Sequence, residues 1–138
     1  MESWWSWESV PPGRATLLTL LAALIVLVIS GCGVSEWIPY IPSSEEVSIE
    51  VSDGTETEVL VKVVLRNACY RLEKWNSLHR EDQQFWIDLE IEKSTADACA
   101  QVYLKMTRGY DMGALASGEY EFTVKAWGEE VKTVKFIV

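Results

Sequence analysis

Apolar and polar residues alternate along most of the chain after residue 46. In the first such segment Val47, Ile49 and Val51 are separated by polar residues, and the turn signal Asp53-Gly54 follows them. Because side chains of a β-strand point alternately to opposite faces, this period of two predicts half-buried strands. The later segments with the same pattern have these apolar positions: Val59, Val61, Val63 and Leu65; Phe85, Ile87, Leu89 and Ile91; Ala100, Val102, Leu104 and Met106; Tyr120, Phe122, Val124 and Ala126; Val134, Phe136 and Val138.

Strands at this spacing, with Gly-containing turns and no helical period, predict an all-β domain. The expected architecture is an antiparallel, immunoglobulin-like β-sandwich over residues 47–138, and a small barrel is the alternative. In immunoglobulin-like folds a Tyr early in a late strand pins a crossing connection through its hydroxyl, and Gly118-Glu119-Tyr120 fits that position, although it also fits a plain core tyrosine. We expect an irregular polar region through Glu81-Asp82 and a loop over 108–118.

A second pattern precedes the strands, because residues 15–35 contain no charge. The apolar core of this run, Leu17 to Ile29, has the length of the hydrophobic region of a secretory signal. An uncharged run of about 20 residues also suffices to span a bilayer as an uncleaved helix. We therefore expect residues 1–31 to form an apolar helix, as signal peptide or anchor. Arg14 should then stay on the cytoplasmic side and the domain outside.

The end of this run carries a recognisable motif. Ile29-Ser30-Gly31-Cys32 resembles the lipobox of prokaryotic lipoproteins, in which the cysteine thiol receives a diacylglycerol and the chain is cut before it. The resemblance implies that Cys32 is lipidated and anchors the chain to the cell membrane. The tryptophan-rich lead, with Trp4 and Trp5, has no net positive charge and fits an interfacial aromatic belt, which favours the uncleaved anchor instead.

Residues 32–46 join the anchor to the strands. Pro39 and Pro42 argue against a helix and favour an extended tether. The segment is apolar for a spacer, since it contains Trp37 and Ile38. These side chains rest either on the domain or at the lipid interface, and the sequence is compatible with both.

Charge and cysteine content narrow the possible functions. The net charge is −9, and the part after Cys32 carries −8, from eleven Lys or Arg against nineteen Asp or Glu. A domain this acidic lacks the positive surface that nucleic acid requires, so we expect no nucleic-acid partner. Acylation of Cys32 would leave Cys69 and Cys99 as a pair. A disulfide in an oxidising compartment is then expected, with two separate buried thiols as the alternative.

Three segments resemble a set of secreted prokaryotic lipoprotein domains without an established activity. They are Cys69-Tyr70-Arg71-Leu72, Ala98-Cys99-Ala100-Gln101-Val102 and the strand from Leu115 to Val124. Those domains share a Cys-Tyr/His-x-Leu segment, a second cysteine that opens a strand, and a closing Leu-x-x-Gly-x-Tyr strand. The resemblance covers about residues 56–128, and the chain departs from it at Ala126-Trp127-Gly128, where Val-Asn-Gly is usual. It implies the fold and the disulfide, and no activity.

Few residues could carry chemistry. His79 is the only histidine, which excludes multi-histidine metal sites, and no nucleophile motif or phosphate-binding Gly-rich loop occurs. Asp88, Glu90 and Glu92 share one face of a strand, a pattern typical of a solvated outer face. We therefore expect no enzyme activity, no catalytic residue, no metal site and no cofactor.

Aromatic and basic residues instead indicate a contact surface. The candidate patch consists of Arg71, Lys74, Trp75, His79, Arg80 and Trp86. Core packing of the two tryptophans fits the same pattern. The sequence predicts a membrane-anchored extracytoplasmic β-sandwich lipoprotein, a binding or structural module of the cell envelope whose partner is an envelope protein or a glycan. The alternative is a protease-inhibitor-like or small enzymatic domain that uses loops 71–82 and 108–118.

Overall fold

Nine β-strands make up the computed structural model, which describes residues 35–52 and 54–138. The predicted N-terminal helix and Cys32 lie outside these residues. Within them, no helix is long and apolar enough to cross a membrane. The strands are β1 Trp37–Pro39, β2 Val47–Ser52, β3 Glu58–Leu65, β4 Tyr70–Trp75, β5 His79–Glu81, β6 Gln84–Ser94, β7 Leu104–Asp111, β8 Glu119–Ala126 and β9 Glu129–Ile137.

The strands form two sheets, so the predicted β-sandwich is confirmed. The smaller sheet has three strands in the order β2-β3-β7, and both of its pairings are antiparallel. The larger sheet has six strands and is built around β6, the longest strand. One edge of β6 pairs with β5 and then β4, and its other edge pairs with β8 and then β1. β9 lies outside β8.

One pairing differs from the predicted antiparallel sheets. β6 and β8 run parallel, with Phe85 opposite Phe122 and Ile87 opposite Val124. The strand between them in sequence, β7, belongs to the other sheet. The chain reverses direction on entering β7 and reverses again on entering β8, so β8 returns to the larger sheet in the direction of β6. The larger sheet is therefore mixed.

The core lies between the two sheets, at the alternate positions that the sequence predicted. Its buried apolar residues include Val47, Val59, Val61, Val63 and Leu65 from the smaller sheet and Phe85, Ile87, Leu89, Ile91, Tyr120, Phe122, Val124 and Ala126 from the larger sheet. Burial of each large apolar side chain stabilises the fold by roughly 1.5–3 kcal/mol. Ala100 and Val102 are not part of this pattern, because β7 begins only at Leu104 and Val102 is exposed.

Two segments that were predicted to be irregular contain strands. β4 and β5 occupy most of residues 70–81, and β7 continues to Asp111, so the loop expected from Arg108 starts later. These strands lie at sheet edges, where side chains on both faces meet solvent and charged residues oppose unwanted strand pairing. These strands are therefore rich in polar residues, and the alternation of apolar and polar positions that predicts a strand is not visible in them.

Tyr120 fixes the entry into β8. Its hydroxyl donates a hydrogen bond to the backbone oxygen of Ala116 at 2.7 Å, and its ring is buried. The bond ties the start of the strand to the loop that precedes it, which is the geometry expected of a tyrosine corner.

The compact unit begins at Ser35, so the described part of the expected tether packs on the domain. β1 pairs with β6, and the Tyr40 amide donates to the Ile91 oxygen at 2.8 Å. The buried Glu46 carboxylate accepts hydrogen bonds from the Tyr40 hydroxyl and the Ser43 amide, both at 2.9 Å. Burial and this carboxylate raise the pKa of the Tyr40 phenol well above its ordinary value.

Candidate functional site

The outer face of the six-stranded sheet is the candidate site. Inward residues of β6 fill the core, so the residues between them point away from it. On β6 these are Trp86, Asp88, Glu90 and Glu92, all of them half-buried by neighbouring side chains. We call the surface that they share with the outward residues of β1, β4, β5 and β8 the outer face.

A row of three side chains crosses the outer face near the start of β6. His79 of β5 lies opposite Trp86, and the two rings stack with centroids 5.5 Å apart and an interplanar angle of 13°. From β8, the Lys125 ammonium lies over the same indole, 5.3 Å from its centroid. β5 and β8 pair with opposite edges of β6, so Trp86 is contacted from both sides. A cation near the face of an indole is attracted by its π electrons.

A second group of charges lies farther along β6. Arg71 donates to Glu92 Oε2 from Nε at 2.8 Å and from Nη2 at 2.6 Å, and its Nε also lies 2.6 Å from Glu73 Oε1. The guanidinium carbon is 4.1 Å from the ring centroid of Trp37 in β1. Each exposed ion pair contributes little to stability. Together the contacts hold one arginine in a defined position at the surface.

Asp88 connects the outer face to the turn between β8 and β9. Its Oδ2 accepts a hydrogen bond from the Gly128 amide at 2.9 Å, whereas its Oδ1 is buried without a partner among the described residues. The turn residues Trp127 and Gly128 both have positive φ, 52° and 80°. Such angles favour Asn or Gly and are unusual for a bulky residue. The Trp127 indole Nε1 donates to the Ile91 oxygen at 2.7 Å, which helps to hold this conformation.

The structure places four of the six predicted patch residues on the outer face, namely Arg71, Lys74, His79 and Trp86. A bulge between Leu72 and Lys74 brings Lys74, rather than Glu73, opposite Glu90. The other two predicted residues lie elsewhere. Trp75 packs against the core, with its ring centroid 6.5 Å from that of Tyr110, and the Arg80 guanidinium lies over Phe85.

Sequence reasoning missed two residues of the outer face. Trp37 was assigned to the tether, and its contact with Arg71 depends on the pairing of β1 with β6. Lys125 reaches Trp86 because β8 runs parallel to β6. No local pattern in the sequence predicts either pairing.

The predicted disulfide between Cys69 and Cys99 is present, with the two Cα atoms 5.4 Å apart. This separation is within the usual range. The bond joins the residue before β4 to the loop of residues 95–103, between β6 and β7. Two backbone hydrogen bonds strengthen the junction: Ser94 donates to the Cys69 oxygen at 2.7 Å, and Ala68 donates to the Ala100 oxygen at 3.0 Å.

No group of three or more potential ligands that could hold a metal ion occurs within residues 35–52 and 54–138. The outer face offers ring surfaces, fixed charges and hydrogen-bonding groups. An arrangement of this kind suits binding, since aromatic residues and arginine dominate the energetics of protein contacts.

Comparison with known proteins identifies the family. The family model described as the ORF11 beta-sandwich domain matches residues 59–138, more than half of the chain. The chain belongs to this family. No curated protein and no solved structure matches the chain. The part matched to the ORF11 domain runs from the second residue of β3 through β9, and it contains the disulfide, the Tyr120 hydrogen bond and the whole row His79, Trp86 and Lys125.

Proposed function

We propose that this ORF11 domain is a membrane-anchored module on the extracytoplasmic side that binds an envelope protein through the outer face. The row of His79, Trp86 and Lys125 carries this proposal. The uncharged run before Ser35 and the lipobox-like motif that ends at Cys32 support the anchor and the lipidation. The disulfide supports an extracytoplasmic location, because disulfides persist in oxidising compartments.

In finer architecture, we propose a variant of the immunoglobulin-like sandwich. The Tyr120 hydroxyl bonded to the Ala116 oxygen supports this assignment, since that contact is characteristic of the fold. The variant differs from it in one respect. Immunoglobulin sheets are antiparallel, whereas β6 and β8 pair in parallel here.

The surroundings of Trp86 favour a protein partner over a glycan. A sugar ring stacks on an open aromatic face, but His79 and Lys125 contact Trp86 from both neighbouring strands. Farther along the outer face the charges alternate in sign, as in the pairs Arg71–Glu92 and Lys74–Glu90. Alternating charges suit a partner with a complementary pattern, because complementarity steers encounter and fixes register.

Site-specific photo-cross-linking in cells tests the proposal on the full chain. A benzophenone amino acid at position 79 should give a discrete protein adduct, whereas the same amino acid at Ser117, exposed in the loop before β8, should give none. Adding Trp86→Ala should abolish the adduct at position 79 while the melting temperature stays within a few degrees. Equal adducts at 79 and 117, or an adduct that survives Trp86→Ala, would exclude the outer face as the contact surface.

The alternative function, inhibition of a protease or catalysis by loops 71–82 and 108–118, gains no support from the described residues. An inhibitory loop presents free backbone groups to its target. Here β4, β5 and the end of β7 occupy much of both segments and pair with β6 or β3.

A further inference from the structure

The exposed large apolar side chains of the described residues concentrate in one half of the sandwich. Four of the seven lie at the end where β6 finishes, namely Trp37, Ile38, Val102 and Tyr103, and two more, Ile41 and Trp127, lie beside the second half of β6. The seventh, Ile137, lies at the other end, opposite Glu119 at the start of β8. We call the end formed by residues 35–39, 66–69 and 95–103 the Ser35 pole. The end formed by residues 54–57, 81–83 and 112–118 is the distal pole.

The Ser35 pole is built from segments that bind one another. Thr95 donates its amide to the Glu36 oxygen at 2.8 Å, and Glu36 donates its amide to Thr95 Oγ1 at 2.9 Å. The residues that precede β1 therefore lie beside the loop of residues 95–103. The disulfide of Cys99 with Cys69 ties the same loop to the start of β4.

The most exposed apolar residues of the pole lie on this tied loop. Val102 is 54% exposed and Tyr103 is 67% exposed, just before β7 begins. Ile38 of β1 is 45% exposed. Exposed apolar residues scattered singly need no explanation, but a group of them at one end of a domain marks a contact surface.

The length of chain outside the described domain indicates what covers this pole. The compact unit begins at Ser35, and only Gly33 and Val34 separate it from Cys32. A fully extended chain advances about 3.5 Å per residue, so the three residue steps from Cys32 to Ser35 can span at most about 11 Å. An anchor that ends at Cys32 therefore brings the Ser35 pole to the membrane surface, and the distal pole faces away from it.

We propose that the Ser35 pole rests on the lipid interface of the membrane that holds the chain, with Val102 and Tyr103 in the headgroup region. This inference rests on the anchorage in the proposed function. Tyrosine suits such a position, because its ring is apolar and its hydroxyl can remain hydrated. The two exposed acidic side chains of the pole, Glu36 and Asp97, are matched by exposed Lys93 and Lys105 near it, which limits the repulsion that anionic lipids exert on an acidic domain.

Spin-label accessibility measures this contact on the full chain in phosphatidylcholine vesicles that contain some phosphatidylglycerol. A nitroxide is attached to Val102→Cys, to Tyr103→Cys or, as the distal control, to Ser117→Cys. The unsubstituted chain measures labelling of the native cysteines, and matching melting temperatures show that each variant is folded. Dissolved oxygen concentrates in lipid, and a neutral nickel chelate stays in water.

The ratio of oxygen to nickel accessibility should be several-fold higher at positions 102 and 103 than at position 117. Equal ratios, in a chain that stays in the vesicles through an alkaline carbonate wash, would overturn the inference and leave the anchorage intact. Release of the chain by that wash would overturn both. A high ratio at all three positions would also overturn it, because the domain would then lie flat on the membrane.

Discussion

The two faces of β6 follow one alternating pattern but are built by different interactions. On the inner face, Ile87, Leu89 and Ile91 are fully buried among apolar side chains of both sheets. On the outer face, Trp86 and Glu92 remain half-buried and have specific partners, His79 and Lys125 for the first and Arg71 for the second. The inner face requires apolar volume, whereas the outer face depends on which strands lie beside it.

Under the proposed function, this difference separates stability from binding within a single strand. Apolar burial supplies most of the favourable free energy of folding, so the inner face carries the stability. Stacking and exposed ion pairs contribute little to stability but present a defined surface. Substitutions on the two faces should therefore differ in size and in the property that they change.

The largest effect is expected from Ile87→Asp. The carboxylate would be buried between the sheets without a partner, which costs several kcal/mol, a large part of the stability of a domain of this size. Loss of the cooperative thermal transition, followed by circular dichroism, is the expected result, and Phe122→Asp should behave in the same way. A cooperative transition near that of the unsubstituted protein would show that this face is not the core.

The next largest loss of stability is expected from removing the disulfide, which lies at the end of β6 and belongs to neither face. Replacing both Cys69 and Cys99 with Ser removes a bridge between residues 30 positions apart, which on the loop-entropy account costs about 3–4 kcal/mol. The melting temperature should fall, and proteolysis should become faster within residues 95–103 and 71–84. Equal melting temperatures with and without the bridge would show that backbone pairing alone holds this end.

Tyr40→Phe should have a smaller effect, at the edge where β1 meets β6. It removes the hydroxyl that donates to the Glu46 carboxylate, and a hydrogen bond to a charged group is worth about 1.5–3 kcal/mol. The Ser43 amide still donates to Glu46, so the lower end of that range is expected. Urea unfolding at about pH 7 measures the loss of unfolding free energy. Ser44→Ala is the control, because Ser44 lies exposed in the turn between Ser43 and Glu46.

The same variant tests how Tyr40 contributes to the pH dependence of the stability. The pKa of the Tyr40 phenol is raised in the folded protein by burial and by Glu46, so folding favours the neutral phenol. Its stabilisation is complete below the unfolded pKa of about 10 and is lost as the pH rises from there towards the folded pKa. Between about pH 7 and about pH 11, the free energy of unfolding of Tyr40→Phe should therefore fall by less than that of the unsubstituted protein. Burial also raises the pKa of Tyr110, so part of the alkaline loss should remain. An unchanged alkaline loss would contradict the role of Tyr40.

Much of the inner face could be predicted from the sequence, because burial there depends on the period of two alone. Ile87 and Phe122 are buried, as the alternation of apolar and polar residues in their strands predicted. The pairing of Cys69 with Cys99 was expected from the cysteine count once Cys32 was taken as acylated, and the disulfide is present. The sequence allowed Tyr120 to be either a tyrosine corner or a plain core residue. In the structure its ring is buried, and its hydroxyl also donates to the Ala116 oxygen, as in a tyrosine corner.

The outer face could be predicted only in part. Trp86 and His79 were singled out, but Lys125 is brought to them by the parallel pairing of β6 and β8, which arises because β7 lies in the other sheet. The bulge in β4 decides that Lys74 opposes Glu90. Neither a strand order nor a bulge is encoded in the alternation of apolar and polar residues.

Glu90→Lys should have the smallest effect and is the matched control for Ile87→Asp, since both place a new charge on β6. Glu90 is on the outer face, 35% exposed, and its Oε1 lies 4.0 Å from Lys74 Nζ. The change replaces a weak attraction with a repulsion that water screens, so we expect a loss of at most about 0.5 kcal/mol. Added salt should reduce the difference further, because screening weakens interactions between exposed charges. A loss comparable to that of Ile87→Asp, and insensitive to salt, would mean that Glu90 is packed rather than solvated, and the two faces of β6 would then have to be reassigned.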